Sequence, residues 1–183
     1  GPRLNAAGRL EDMSLGIECL LAEDGREARS LAERLSQINL ERRALESKMQ
    51  QEALAQVDAL VNLPEGEVPA GLCLFDSGWH QGVVGLVASR VKERLHRPVI
   101  AFAPGEPGLL KGSARSVPGL HVRDVLDSLA TRHPGLLEKF GGHAMAAGMT
   151  IAASRFEEFR RAFAEEVGLI AGDELLSGDL LTD

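Results

Sequence analysis

Four stretches of this chain hold more Gly, His, Ser and Arg than packing requires, and each has the makings of a phosphate contact. In Lys111-Gly112-Ser113-Ala114-Arg115-Ser116, a strand would place Lys111, Ser113 and Arg115 on one face at period two. A cation, a hydroxyl and a guanidinium on one face can clamp a phosphodiester, although a solvated strand face is the plainer alternative. Arg3-Leu4-Asn5-Ala6-Ala7-Gly8-Arg9 sets two guanidiniums beside an Asn and small residues, which reads as a turn. Ser77-Gly78-Trp79-His80-Gln81-Gly82 falls between a strand pattern and a helix pattern, where α/β sheets place ligand groups and helix N–H donors meet anions. Trp79, the only Trp, either stacks on a base or plugs the edge of the domain, and His80 stands at the same mouth. The fourth stretch, Phe140-Gly141-Gly142-His143 followed by Ala144 to Gly148, reads as a Gly-Gly turn that brings backbone close to a ligand and presents His143.

The charge supports a localised site. Net charge is −7, which by itself argues against a polyanionic partner. Between Gly78 and His143, however, nine basic residues face five acidic ones, and all five histidines fall there. A basic middle between acidic flanks suits one phosphate-binding face. Cys19 and Cys73 are far apart, with no CxxC or Cys-His spacing, so they read as reduced thiols and not as zinc ligands. No apolar run approaches the length of a membrane span. The opening residues lack Met and the layout of a signal peptide, so the chain reads as a cytoplasmic piece cut at both ends.

The elements that must position these residues follow from periodicity. Residues 1–13 read as a turn feeding a helix capped by Ser14 and running to Glu23. From Arg26 to Val61 there is no Gly or Pro, and apolar residues recur at helical spacing. That predicts one long helix, ended by Leu63-Pro64-Glu65-Gly66; irregular heptads disfavour a coiled coil. Beyond it, strands are expected over 70–75, 98–103, 109–116 and 146–152. Helices are expected over 82–95, 121–132 and 154–167, the last capped by Ser154. The fold class is α/β, a mixed sheet with packed helices preceded by a long connecting helix, and the first two strands form a parallel pair.

Taken in order, LNAAGRL, GWHQGVVGLVASRV, KGSARSVPGLHV and FGGHAMAAG closely resemble the C-terminal half of the RecJ branch of the DHH phosphoesterases, from Arg3 to about Phe163. The resemblance implies a metal-dependent 5′→3′ exonuclease of single-stranded DNA, acting in repair and recombination, that uses Mn or Mg held by an N-terminal Asp/His domain. That domain's Asp-His-His motif is absent here, so the chain is expected to be inactive alone and to have no metal site of its own. Residues 1–25 would be the tail of the catalytic domain, 26–63 the connector, 68–168 the DHH-associated nucleic-acid-binding domain and 169–183 a linker. Arg3, Asn5, Arg9, Trp79, His80, Lys111, Ser113, Arg115, Ser116, Gly141 and Gly142 would then contact nucleic acid. His143 would approach the scissile phosphate. The implied partners are single-stranded DNA and the N-terminal domain in cis, with single-strand-binding protein as a further candidate and no membrane. A related oligoribonuclease or cyclic-dinucleotide phosphodiesterase, or a protein-interaction module, are the alternatives.

Overall fold

The computed structural model describes residues 1–61 and 68–176, which fall in two compact units, Gly1–Lys48 and Met49–Asp183. The first unit is helical. Its opening stretch is not a turn but α1 (Pro2–Leu10), with Pro2 in the first turn, where its missing N–H costs nothing. A helix here buries Ala6 and Ala7 completely, against a cluster that includes Leu15, Leu35 and Ile38. That burial outweighs the cost of Gly8 inside the helix. The following α2 (Ser14–Leu21) is capped by Asp12 and not by Ser14: one Asp12 carboxylate oxygen accepts from the Ser14 backbone N–H at 2.8 Å and from its hydroxyl at 2.7 Å. These two bonds hold the Asp12 pKa below its ordinary value.

The long α3 (Gly25–Val61, 37 residues) carries the run expected from Arg26 to Val61, about 55 Å at the helical rise. Asp24 accepts from the Arg26 N–H at its start. Leu35 and Ile38 are buried within the first unit; Met49, Ala53 and Val57 are buried within the second. The expected stop at Leu63-Pro64-Glu65-Gly66 lies outside the described residues.

The second unit is built on a five-stranded mixed sheet of order β1-β2-β3-β5-β4. β1 (Leu72–Phe75) and β2 (Val99–Pro104) are parallel and joined through α4 (Val84–Leu95). β3 (Leu109–Arg115), β4 (Lys139–Gly142) and β5 (Ala146–Ala152) complete the sheet with antiparallel pairings. One face, with Ile100, Phe102, Leu110, Ala114, Met149 and Ile151, forms a core with α5 (Val122–Arg132) and α6 (Phe156–Leu176). Phe102 meets Phe159 of α6 edge-on, with ring centroids 5.5 Å apart. Glu166, buried between α5 and α6, accepts from the Ser128 hydroxyl at 2.6 Å and pairs with Arg132 at 3.2 Å. The other face of β2 and β3 is covered by α4.

Three further expectations, all in the second unit, differ from what is observed. Residues 139–142 form β4 where a turn was expected at the Gly-Gly pair, because all four pair with Ala147 to Thr150 of β5. Ser154 lies within a 3-10 turn (Ala153–Arg155), so α6 begins only at Phe156. That helix continues through Leu176, into the stretch expected to be a linker from residue 169. No helix among the described residues is long and apolar enough to cross a membrane.

Candidate nucleic-acid interface

Residues directly opposite one another on antiparallel strands share a face of the sheet. The register therefore sets three cross-strand rows on the face away from the α5–α6 core. Lys111, Thr150 and Lys139 form one, Ser113, Gly148 and Gly141 the next, and Arg115 with Ala146 the third. The rows span about 13 Å from Lys111 to Arg115 at the strand rise. Gly141 and Gly148 are exposed, with no atom within ordinary contact of a methyl placed on Gly141 and only the Gly112 carbonyl, at 4.0 Å, near one on Gly148. The Gly148–Gly141 end of the middle row is thus a bare floor of backbone, with Ser113 under α4 at its inner end and cations in the rows on either side. Gly112 is different: it points into the core, where a methyl would lie 2.5 Å from Met149 Sδ.

Arg115 is held by its own strand. Its Nη1 donates to Ser113 Oγ at 3.0 Å and to the Ala114 carbonyl at 2.7 Å, so hydroxyl and guanidinium act as one group. Above them sits the first turn of α4. A methyl on Gly85 would fall 2.7 Å from Arg115 Nη2 and 2.9 Å from Ser113 Oγ. A half-buried guanidinium, a hydroxyl and the positive end of a helix converge here, an arrangement suited to a phosphate oxygen.

The β4–β5 turn carries His143 at the Arg115 end of the sheet. Three backbone bonds pin it: His143 N–H to Ala146 O at 2.8 Å, Val122 N–H to Ala144 O at 2.9 Å and Ser116 N–H to Met145 O at 3.0 Å. Gly142 has φ 149°, and a side chain there would collide with the Ala146 carbonyl and Ala147. The Gly-Gly pair therefore splits. Gly142 is required by the turn, whereas Gly141 lies open on the floor. His143 is exposed.

Other residues singled out by sequence fall elsewhere. Ser116 is 1% exposed and its hydroxyl donates to the Leu120 carbonyl at 2.7 Å, so it fastens the loop after β3 and cannot clamp a phosphate. Trp79 is 4% exposed and its Nε1–H donates to Glu52 at 3.0 Å. It is a plug bonded to α3 and offers no ring for a base to stack upon. His80 is half-buried, with Nδ1 accepting from the Gly82 N–H at 3.1 Å in the turn before α4. Lys111 packs along Gly105 toward Glu106, 3.6 Å away. Arg3, Asn5 and Arg9 are exposed on α1, in the other unit. Asn5 and Arg9 are about 40° apart around the helix, but Arg3 is about 120° from Arg9, so the three do not form one cluster.

Gly85, Thr150 and Lys139 were not singled out as site residues by sequence reasoning, and Gly148 entered only as the end of a run of small residues. The signals were a glycine in the first turn of a strong helix pattern and a glycine at period two on a strand, both of which disfavour their elements without evident return. Among the described residues, no three His, Cys, Asp or Glu side chains come together to hold a metal ion. The burial of Cys73 pushes its thiol pKa well above the ordinary value, with Arg160 opposing the shift and Glu157 adding to it, so this thiol is inert packing.

A model of the DHHA1 domain matches residues 68–168. The whole chain is 54% identical to the single-stranded-DNA-specific exonuclease RecJ of Dickeya dadantii and 50% identical to that of Escherichia coli, covering 32% of each. The chain thus spans about a third of the length of these curated relatives. Its fold matches the crystal structure of RecJ from Thermus thermophilus in complex with Mg2+, with a TM-score of 0.77 and 33% identity. That match covers 92% of this chain and 24% of the other. The same enzyme has been described with Mn2+. The residues described here contain no donor set that fits such an ion.

Proposed function

Because the chain belongs to the DHHA1 domain family, we propose that it is the strand-gripping part of a metal-dependent 5′→3′ exonuclease of single-stranded DNA. Ser113 and Arg115 hold a backbone phosphate under the first turn of α4, and the Gly141–Gly148 floor lets the nucleotide lie against the sheet. His143, at the same end, donates to the phosphate nearest the bond to be cut. An Asp/His domain outside these residues would hold Mn or Mg, which would activate the water for hydrolysis. The chain alone binds and does not cleave. In the whole enzyme, DNA repair and recombination are its setting.

The observation that carries this reading is the pairing of Arg115 Nη1 with Ser113 Oγ beside a row of exposed glycines. A guanidinium and hydroxyl joined on a strand next to open backbone recognise a phosphodiester without reading a base. Single-strand preference follows from a floor that admits one backbone and its splayed bases. The wide match to single-stranded-DNA-specific RecJ enzymes supports the choice of polymer.

The test is binding of a labelled single-stranded oligonucleotide across a salt series, beside a duplex and an Arg115→Ala variant. Expected are single-strand preference, strong salt dependence and a loss of about 10- to 100-fold with Arg115→Ala. Equal binding of duplex and single strand, or an Arg115→Ala variant with full affinity, would overturn the reading. Cleavage by the pure chain in Mn2+ would overturn its assignment as binding portion only.

A further inference from the structure

Gly85 is the one glycine in α4, and nothing in the helix's own backbone asks for it: its φ is not positive, so any L-residue can adopt the conformation. The three atoms nearest to a methyl there are not core atoms. They are Arg115 Nη2 at 2.7 Å, Ser113 Oγ at 2.9 Å and Arg115 Cζ at 3.4 Å. The crowded guanidinium is the far end of a flexible side chain, which can swing away at little cost to the fold.

We propose that Gly85 is a positioning residue for the Arg115–Ser113 pair: its missing side chain is the seat that keeps the guanidinium folded over β3 and bonded to Ser113. This rests on the phosphate-binding reading above and adds a residue that acts through Arg115 without touching the ligand. A methyl at position 85 asks two side-chain ends to move, the Arg115 guanidinium and the Ser113 hydroxyl, which turns about its χ1 bond; neither is backbone, and α4 gains a better helix former. What it removes is the pre-set geometry. The displaced guanidinium gives up its 3.0 Å bond to Ser113 Oγ and no longer presents its fork beside the hydroxyl. Phosphate affinity then falls because the clamp must be reassembled at each binding event. Glycine at 85 thus serves a site on another element, 30 residues away in sequence.

A double-mutant cycle on the 183-residue chain tests this, using Gly85→Ala, Arg115→Ala and their combination. The readouts are thermal unfolding and affinity for a labelled single-stranded oligonucleotide at several salt concentrations. Gly85→Ala is expected to leave Tm unchanged or raised, to weaken binding about tenfold and to lower the salt slope by about 0.7, the signature of one lost phosphate contact. In the Arg115→Ala background, Gly85→Ala should have no further effect. Arg115→Lys, with its slimmer head group, should recover part of the loss caused by Gly85→Ala.

Equal losses from Gly85→Ala in both backgrounds would overturn the proposal, as would full affinity of Gly85→Ala in the otherwise native chain. A fall in Tm of more than about 5 °C would also overturn it, because the glycine would then serve the fold. If Arg115→Ala itself binds normally, the phosphate-binding reading fails together with this one. If Arg115→Ala is weak and Gly85→Ala is not, only the positioning role fails.

Discussion

The hydroxyl of Ser116 donates to the carbonyl of Leu120 across the loop that leaves β3, 2.7 Å apart and sealed from solvent. Arg115, one residue earlier, points to the opposite face of the strand, so neighbours in one motif have unrelated tasks. Ser116→Ala leaves the buried Leu120 carbonyl unsatisfied and is expected to cost about 1–3 kcal/mol of stability. Its oligonucleotide affinity and salt slope should match the native chain when measured well below its Tm. A weakened salt slope at unchanged stability would return Ser116 to the binding face.

Trp79 shows the same division. With its ring buried and its Nε1–H on Glu52, Trp79→Phe should lose about 1 kcal/mol and bind oligonucleotide as before. Intrinsic fluorescence from this single Trp should hold steady as DNA is titrated. Strong quenching, with affinity lost in the Phe variant, would mean that the ring reaches a base after all.

The three glycines of the β4–β5 hairpin should part company on substitution. Gly141→Ala and Gly148→Ala meet open space and should raise stability by about 0.4–1 kcal/mol through the unfolded chain. Both should nevertheless weaken oligonucleotide binding, because a methyl stands on the floor between Ser113 and the β4 edge. Gly142→Ala, at φ 149° against the Ala146 carbonyl, should instead lose about 1–3 kcal/mol. Normal binding by Gly148→Ala would show that no ligand approaches the row closely.

Buried Cys73 makes stability fall in alkali. Burial raises its folded pKa above the ordinary 9.0, so the stabilising contribution of the neutral thiol is complete below that value. It is lost as pH climbs from about 9 toward the folded pKa, since the unfolded chain releases the proton first. The stability difference between the native chain and Cys73→Ala should therefore narrow above pH 9 in denaturant titrations. A constant difference from pH 7 to 10 would argue that the thiol is not desolvated.

Much of the architecture is legible in the sequence because it rests on local periodicity. The alternation over residues 109–115 puts Lys111, Ser113 and Arg115 on one face whatever lies around them, since successive side chains of a strand must point to opposite sides. The same holds for the gap-free helical run of α3 and the apolar strands of the parallel pair. What lies across the chain is not written in any local pattern. That Gly85 sits over Arg115, that Gly148 stands between Ser113 and Gly141, and that Ser116 and Trp79 turn inward all depend on register and packing between segments distant in sequence. Residue type and spacing name the groups able to hold a phosphate. Only the tertiary structure decides which reach the open face, because the final pairing is set by the total burial of the core and not by any one motif.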